Sequence, residues 1–360
     1  MSLSVEDYEV PPEWISLLRD LRNGLIILVL GASDTGKTTL IRFLINGLVR
    51  EGRRVAFIDS DIGQSSIGVP TTIASSLISS SRNLESPGLH SLFFIGSTSP
   101  PGNLLQMAVG LRKTVDLVSH SKPDLVVIDT TGFISGGAAY ELKYQKVSLI
   151  QPTHIVAIER DRELEPILRA VSYSFKGLRI SRLKPVSSVR SRSLDERQAN
   201  RERMFGQYFS SARRLQIKLA QVSLRRGPFG CGIPVSELRL YELSRASGLE
   251  LLYGEEGDEE AVFVSRFMGR NPSSLSRIQG FLKRRFVKVI NKGELEGAVI
   301  GLGSGDKGGF ILGLGIVLGL EEGRISVLTP LRDSSKIGVI TFGSLKLSPS
   351  GKETGRLAFY

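Results

Sequence analysis

Leu25-Ile-Ile-Leu-Val-Leu30-Gly31-Ala-Ser-Asp-Thr-Gly36-Lys37-Thr38 opens on six unbroken apolar residues and closes on a glycine-rich turn. The apolar run has the length of a buried strand, and the turn matches G-x-x-x-x-G-K-[ST] in full. Leu40, Phe43, Leu44 and Leu48 follow at helical spacing, so the segment reads strand, loop, helix. That context is what a phosphate cradle needs. Glycines let backbone N–H groups curl around phosphate oxygens, and the helix start adds the positive end of its dipole. The cradle comprises Gly31, Ala32, Ser33, Asp34, Thr35, Gly36, Lys37 and Thr38, with Thr39 behind it. Lys37 is expected between the β- and γ-phosphates of ATP, and the Thr38 hydroxyl on Mg²⁺.

Outward from this segment, the apolar runs Val55–Ile58, Leu92–Ile95, Leu125–Ile128 and Ile155–Ile158 are separated by stretches long enough for crossover helices. Strands alternating with helices predict an α/β P-loop NTPase fold, a doubly wound and mainly parallel sheet. From about Gly227 the chain changes to short apolar runs divided by glycines: Val287–Ile290, Ala298–Leu302, Phe310–Leu320, Ile325–Leu328 and Ile337–Phe342. These predict a smaller C-terminal domain, mainly β and antiparallel. The expected division is an arm over 1–23, a P-loop domain over 24–226 that includes a basic lid at 176–226, and a β-rich domain over 227–360. Gly303-Ser-Gly305-Asp-Lys-Gly308 spells G-x-G-x-x-G without a following helix and reads as a hairpin turn, while the acidic stretch Glu255–Glu260 reads as an exposed loop.

A second chemical element, Asp59-Ser-Asp61-Ile-Gly63-Gln64, follows the second strand. Ligands of doubly wound sheets collect beyond the carboxyl ends of strands, so these carboxylates face the same crevice as the P-loop. One can help hold Mg²⁺ while the other accepts a proton from a nucleophile; Asp59 can equally cap its own loop. Asp129 ends the strand Leu125–Ile128 in a loose Walker B pattern, and the residues alone do not rank Asp61 above it.

The lone cysteine, Cys231, excludes a disulfide framework and a cysteine-built zinc site, and three scattered histidines argue against a histidine-built one. No apolar stretch approaches the roughly 20 residues of a membrane span. A soluble, cytoplasmic protein without a membrane partner is expected. Charge is concentrated: Lys176–Arg226 holds 14 Lys/Arg against Asp195, Glu196 and Glu202, a net +11 that equals the whole chain's. Such a block attracts polyanions, nucleic acid above all, or else is a solvated face.

In this combination the chain resembles the polynucleotide 5′-hydroxyl kinases, which include the kinase subunit of eukaryotic pre-mRNA cleavage factor and the nucleolar pre-ribosomal-RNA processing kinase, and it resembles a short, prokaryotic or archaeal type. The motifs, in order, are Gly31–Thr39, Asp59–Gln64, Ile95-Gly-Ser-Thr-Ser-Pro100, Thr130-Thr-Gly132-Phe133, and R-x-x-x-x-R at Arg192–Arg197. The resemblance implies ATP-dependent phosphorylation of the 5′-hydroxyl ends of RNA or DNA. It makes Asp61 the general base and a Mg²⁺-shell residue, with Thr38 and Asp59 as the other candidate metal ligands. Arg192 and Arg197 become lid arginines over the phosphates, and Thr130, Gly132 and Phe133 part of a clasp on the terminal nucleotide. Gln64 and Thr98 fall at motif positions suited to acceptor or phosphate contact, or to holding their own loops. Two departures stand out: Phe133 occupies a position where the family usually has tryptophan, and only about 24 residues precede the first strand. Trp14, in that short arm, is expected as a core anchor rather than a cover for adenine.

The implied chemistry is in-line attack of the 5′-hydroxyl on the γ-phosphoryl of ATP, with Asp61 taking the proton and Lys37, Mg²⁺, Arg192 and Arg197 balancing the charge. Two other classes share some of these features. A nucleotide-hydrolysing switch would keep the P-loop, but the guanine signature N-K-x-D is absent; the nearest string is Asn291-Lys-Gly-Glu294. A non-catalytic RNA-binding scaffold would keep the basic block without needing Lys37, Thr38, Asp61 and both lid arginines together.

Overall fold

The computed structural model describes residues 10–80, 87–186, 190–267, 273–306, 308–321 and 323–357. Parts of the expected arm (1–9) and of the expected lid (187–189) lie outside the described residues. The chain divides into two compact units, Met1–Arg201 and Glu202–Tyr360.

The first unit is built on seven strands: β1 (Leu25–Gly31), β2 (Val55–Ser60), β3 (Thr72–Ile78), β4 (Ser91–Phe94), β5 (Leu125–Thr130), β6 (His154–Ile158) and β7 (Arg179–Leu183). Their order is β4-β3-β2-β5-β1-β6-β7. β2, β5, β1, β6 and β7 run parallel, while β3 and β4 close one edge antiparallel. The parallel part carries the expected continuous apolar strands, with Ile27, Leu28, Phe57, Ile58, Val127, Ile128, Ile155 and Val156 removed from solvent. Strand β3, Thr-Ile-Ala-Ser-Ser-Leu-Ile, escaped the apolar-run reading because serines occupy its middle. They are tolerated in the interior because each is bonded: Ser75 Oγ lies 2.6 Å from Ser91 Oγ, and Ser76 donates to the Gly88 carbonyl at 2.7 Å.

Helices α2 (Lys37–Arg50), α3 (Leu104–Ser119), α4 (Gly137–Ile150) and α5 (Glu165–Ser174) follow strands β1, β4, β5 and β6. The arm contributes α1 (Pro12–Asp20), whose Trp14 is buried with its ring 5.7 Å from that of Phe43 on α2. Trp14 is thus a core anchor, and the arm belongs to the first unit. Helix α6 (Leu194–Phe209) follows the basic segment and runs past the division between the units.

The division falls at 201, earlier than the boundary anticipated at 226. Strand β8 (Arg213–Lys218) pairs with β16 (Arg324–Thr329), and β9 (Ser223–Arg225) pairs with β17 (Val339–Leu347). These strands were concealed because only alternate positions, such as Leu215 and Ile217, are apolar among cations. The second unit holds β14 (Ala298–Gly303), β15 (Gly313–Glu321) and β18 (Glu353–Arg356) in the sheet β18-β17-β14-β15-β16-β8. Its second sheet contains β10 (Ile233–Pro234), β11 (Leu251–Glu256), β12 (Glu260–Ser265) and β13 (Phe286–Asn291), in that order.

This unit is mainly β and antiparallel, as expected, with two features that were not anticipated. β12 and β13 are parallel, and α7 (Glu237–Ser247) and α8 (Ser273–Leu282) share a core with the small sheet through Leu243, Phe263, Ile278 and Leu282. The acidic stretch 255–260 is also not a loop throughout. Glu255 is buried on β11, accepting from the Gly230 N–H and the Tyr253 hydroxyl. β14 and β15 are an antiparallel pair joined by residues 304–312, and the expected hairpin turn falls there, with 307 outside the described residues. Among the described residues, no helix is long and apolar enough to cross a membrane.

Candidate active site

The strand order sets the site. β2, β5 and β1 are neighbours and parallel, so the residues leaving their carboxyl ends emerge along one edge: Asp59–Gln64, Asp129–Phe133 and the P-loop. The P-loop turns tightly. Asp34 and Gly36 have φ of 54° and 88°, and a Cβ on Gly31 would lie 2.6 Å from Thr35 Oγ1 and 2.8 Å from the Ile158 carbonyl. Lys37 is buried and donates from Nζ to the Ala32 carbonyl at 2.6 Å, across the mouth of its own loop.

Thr38 connects the P-loop to β5: its hydroxyl donates to Oδ2 of Asp129 at 2.8 Å, while Asp129 Oδ1 accepts from the Thr130 N–H at 2.8 Å. The ambiguity between the acids is reduced by their bonding. Asp59 has both oxygens taken by loop donors: Oδ1 by the Asp61 N–H, and Oδ2 by the Ser66 N–H and hydroxyl and the Ile67 N–H. It braces the loop after β2, whereas Asp129 is the carboxylate bonded to the Thr38 hydroxyl. Asp61 accepts the Gly63 and Gln64 N–H groups, each at 3.1 Å, on Oδ1 alone. Its Oδ2 makes no hydrogen bond to a described residue.

Burial, then the Asp129 and Asp61 charges, push the Asp59 carboxyl up to about 7, outweighing its backbone donors. Burial also raises Asp129, against the opposing pull of Lys37. Two lysines missed in the sequence lie within the same cluster. Lys143 and Lys146, on α4, are fully buried. Lys143 donates to Thr130 Oγ1 at 2.9 Å and the Thr131 carbonyl at 2.7 Å, while Lys146 donates to Ser60 Oγ at 3.0 Å. Ser60 in turn donates to the Asp129 carbonyl at 2.7 Å. Burial lowers the Lys143 ammonium well below the usual lysine range and Lys146 to about 8, with Asp61, Asp129 and Asp59 resisting the latter shift. The available signal was the helical stripe Ala139, Leu142, Lys143, Lys146, Val147, Ile150, in which two lysines occupy core-facing positions.

The lid elements of the first unit reach the P-loop through Asp34. Its Oδ2 lies 2.6 Å from an Arg197 guanidinium nitrogen and accepts the Arg192 N–H at 3.1 Å. Burial opposes ionisation of Asp34, but these two partners hold its carboxyl below the ordinary range. The Arg192 side chain is exposed. Gln64 is held between elements: it donates to the Arg197 carbonyl at 3.1 Å and accepts from Asn200 at 3.3 Å. The Thr98 carbonyl lies where a Cβ on Gly63 would meet it at 2.8 Å. Gly132 packs still closer, since a Cβ there would fall 2.4 Å from the Ser33 nitrogen, and Phe133 is half-buried beside it in sequence. The basic block is not one patch: Arg179 pairs with Asp20, Arg182 with Glu159 and Glu165, and Arg190 with Glu196.

For Mg²⁺, the Thr38 hydroxyl, Asp129 and Asp61 form a set of hard oxygen donors beside a phosphate cradle. That suits a cation held partly by one or two carboxylates and partly by the nucleotide.

The family described as mRNA cleavage and polyadenylation factor CLP1 P-loop matches residues 31–211. A polyribonucleotide 5′-hydroxyl-kinase of Pyrococcus horikoshii is 32% identical over 355 residues, covering 98% of this chain and 93% of that protein. One of Methanocaldococcus jannaschii is 31% identical over 350 residues, covering 96% and 93%. Among solved structures, a Clp1p–Pcf11p complex superposes with a TM-score of 0.60 at 12% identity, covering 93% of this chain and 77% of the matched one; that likeness speaks for the fold.

Proposed function

The chain belongs to the CLP1 P-loop family, and on that premise we propose that it is an ATP-dependent polyribonucleotide kinase that transfers the γ-phosphoryl group to the 5′-hydroxyl end of RNA. The observation that carries the reading is the convergence of Lys37, Thr38, Asp61 and Asp129 on one sheet edge, with Arg197 joined to the P-loop through Asp34. A switch that only hydrolyses nucleotide can use such an arginine as well, so the partly unengaged Asp61 carboxylate, placed to take a proton from an acceptor hydroxyl, is what favours transfer.

In this reading the backbone of Gly31–Thr39 holds the ATP phosphates. Lys37 exchanges the Ala32 carbonyl for phosphate oxygens. Thr38, Asp129 and Asp61 would hold Mg²⁺, which supplies charge neutralisation at the phosphates. Asp61 is the base, because Oδ2 has no competing donor while Oδ1 is fixed by two backbone N–H groups. It takes the proton of the 5′-hydroxyl as the oxygen attacks phosphorus in line. Arg197, released from Asp34, and Arg192 stabilise the charge spread over the transferring group. Gly132 and Phe133, with Thr130 and Thr131 anchored by Lys143, shape the acceptor side, and Phe133 offers a ring to the terminal base. Gln64 and Thr98 contribute by setting the loop that carries Asp61.

The test is transfer of labelled γ-phosphate to a 5′-hydroxyl oligoribonucleotide, with Lys37→Ala as the control. Wild-type transfer and its loss in the variant are expected. ATP hydrolysis unaffected by acceptor, with no labelled product, would overturn the proposal.

A further inference from the structure

Fifteen large hydrophobic side chains are exposed among the described residues, and seven of them lie between Ile233 and Phe286 in the second unit. That group includes four of the five exposed aromatics: Tyr241, Phe267, Phe281 and Phe286. Their exposure does not reflect a missing core, because the same elements already bury Leu243, Phe263, Ile278 and Leu282 against one another. Phe281 and Phe286 are surplus to that core, at 47% and 55% exposed.

The two rings bracket one tight turn. Helix α8 ends at Leu282, Lys283 takes a left-handed conformation with φ of 54°, and β13, the edge strand of the small sheet, begins at Phe286. Cations adjoin both rings. The Arg239 guanidinium lies 4.8 Å from the Phe281 centroid, and that of Arg285 lies 5.1 Å from the Phe286 centroid. From Ala261 to Gly293 the sequence contains eight Lys/Arg and no Asp or Glu. A protein-binding apolar face is depleted in charge at its centre. Arg239 is shared with Glu242 and Glu256, each at 3.5 Å, so the strongest cationic contribution beside the rings comes from Lys283 and Arg285. Aromatic faces interleaved with cations match what a single strand requires, a π-surface for each base and a positive charge for each phosphate.

We propose that the α8–β13 turn is a stacking platform for single-stranded RNA, taking bases on Phe281 and Phe286 and phosphates on Arg239, Lys283 and Arg285. The identity of the strand as RNA rests on the kinase reading above. Binding at the platform is measured without catalysis.

The experiment is fluorescence anisotropy of a labelled 20-nucleotide oligouridylate with the full chain, at several salt concentrations. Phe281→Ala with Phe286→Ala should weaken binding at least about 30-fold, the low end for losing two stacked bases. Lys283→Ala with Arg285→Ala should reduce the slope of log affinity against log salt by roughly 1.4, two phosphates at the single-strand value. Transfer to a trinucleotide acceptor should be unchanged in both. To keep a folding defect of the aromatic pair from deciding the result, Lys283→Glu with Arg285→Glu is the second arm. It alters exposed charge alone and should weaken binding more than the alanine pair. Unchanged RNA affinity in a folded aromatic variant, or in the charge-reversal variant, overturns the proposal. Unchanged RNA affinity with loss of self-association in light scattering would make the face a protein contact, and overturns it equally. Tight RNA binding that needs Phe281 and Phe286, in a protein with no transfer to any acceptor, would sink the kinase reading and leave the platform standing.

Discussion

The guanidinium of Arg197 lies 2.6 Å from the carboxylate of Asp34, a residue inside the P-loop itself. An arginine suited to the transferring phosphoryl group is therefore engaged by an acid of the cradle. If Arg197 acts on the nucleotide as proposed, phosphate takes the place of the Asp34 carboxylate.

That substitution makes Arg197 separable from a merely attractive cation. Arg197→Ala should reduce turnover at saturating ATP and RNA by roughly 10³-fold or more, the scale of an arginine acting on a transferring phosphoryl. Arg197→Lys keeps the charge and loses the planar fork, so it should recover only part of the rate. Steady-state kinetics over both substrates is the check; a change confined to KM would reduce the lid to an electrostatic collar.

Asp61 and Asp129 should divide cleanly. Asp61→Asn leaves a group of the same size that cannot take a proton, so kcat should fall by about 10²- to 10⁴-fold with nucleotide affinity nearly intact. Asp129→Asn disturbs the acceptor of the Thr38 hydroxyl, and should raise the Mg²⁺ concentration needed for half-maximal rate. Mg²⁺ titrations of the two variants, beside nucleotide binding by calorimetry, decide the assignment. The opposite pattern would exchange their roles.

Asp59 sets a pH dependence of stability. Its folded carboxyl titrates at about 7, above the ordinary unfolded value near 3.9. Between those values the folded protein retains a proton that the unfolded chain has released. The contribution is therefore favourable below about pH 4 and is lost as pH rises to 7, at about 1.4 kcal/mol per unit of difference. Asp59→Asn should flatten the stability curve over this window in urea melts at a series of pH values.

Lys146 should matter more for folding than its place in a P-loop enzyme would suggest. Replacing it with methionine removes a buried ammonium from the vicinity of three carboxylates and strands Ser60 Oγ without its donor. Removing one partner of a buried charge cluster costs about 3–5 kcal/mol. The double variant Lys146→Met with Asp59→Asn should recover part of that loss, as read by chemical denaturation. Full additivity would mean that the two groups do not interact.

The P-loop and the parallel strands β1, β2, β5 and β6 were legible because each is a continuous apolar run, and β1 leads into a motif whose spacing has one mechanical meaning; the parallel edge strand β7, Arg-Ile-Ser-Arg-Leu, was not, since cations interrupt it. Strand β3 was not, since Ser75 and Ser76 become acceptable in a core only through bonds to Ser91 and Gly88 that no local pattern reveals. The same limit governed the acids. Asp59, Asp61 and Asp129 look interchangeable as letters, and differ through which backbone N–H groups occupy their oxygens. Lys143 and Lys146 read as ordinary surface lysines until α4 is turned and its polar positions prove to face the carboxylates. The small α/β layer of the second unit was missed for another reason: α7 carries a weak stripe interrupted by Arg239 and Arg245, and α8 is only ten residues long, too short to stand out among the surrounding β-like runs.

Strand β7, Arg-Ile-Ser-Arg-Leu, ends the seven-stranded order in the first unit, and among the described residues one side of its backbone has no neighbouring strand. An open edge of this kind is a template on which another chain can pair, and bulky charged residues along it discourage the match. Arg179 and Arg182 stand exposed on this strand, each held by an acid of its own unit. Charge along such an edge opposes strand addition whatever polyanion the protein meets, so part of the cationic segment has a physical consequence for solubility that is separate from binding.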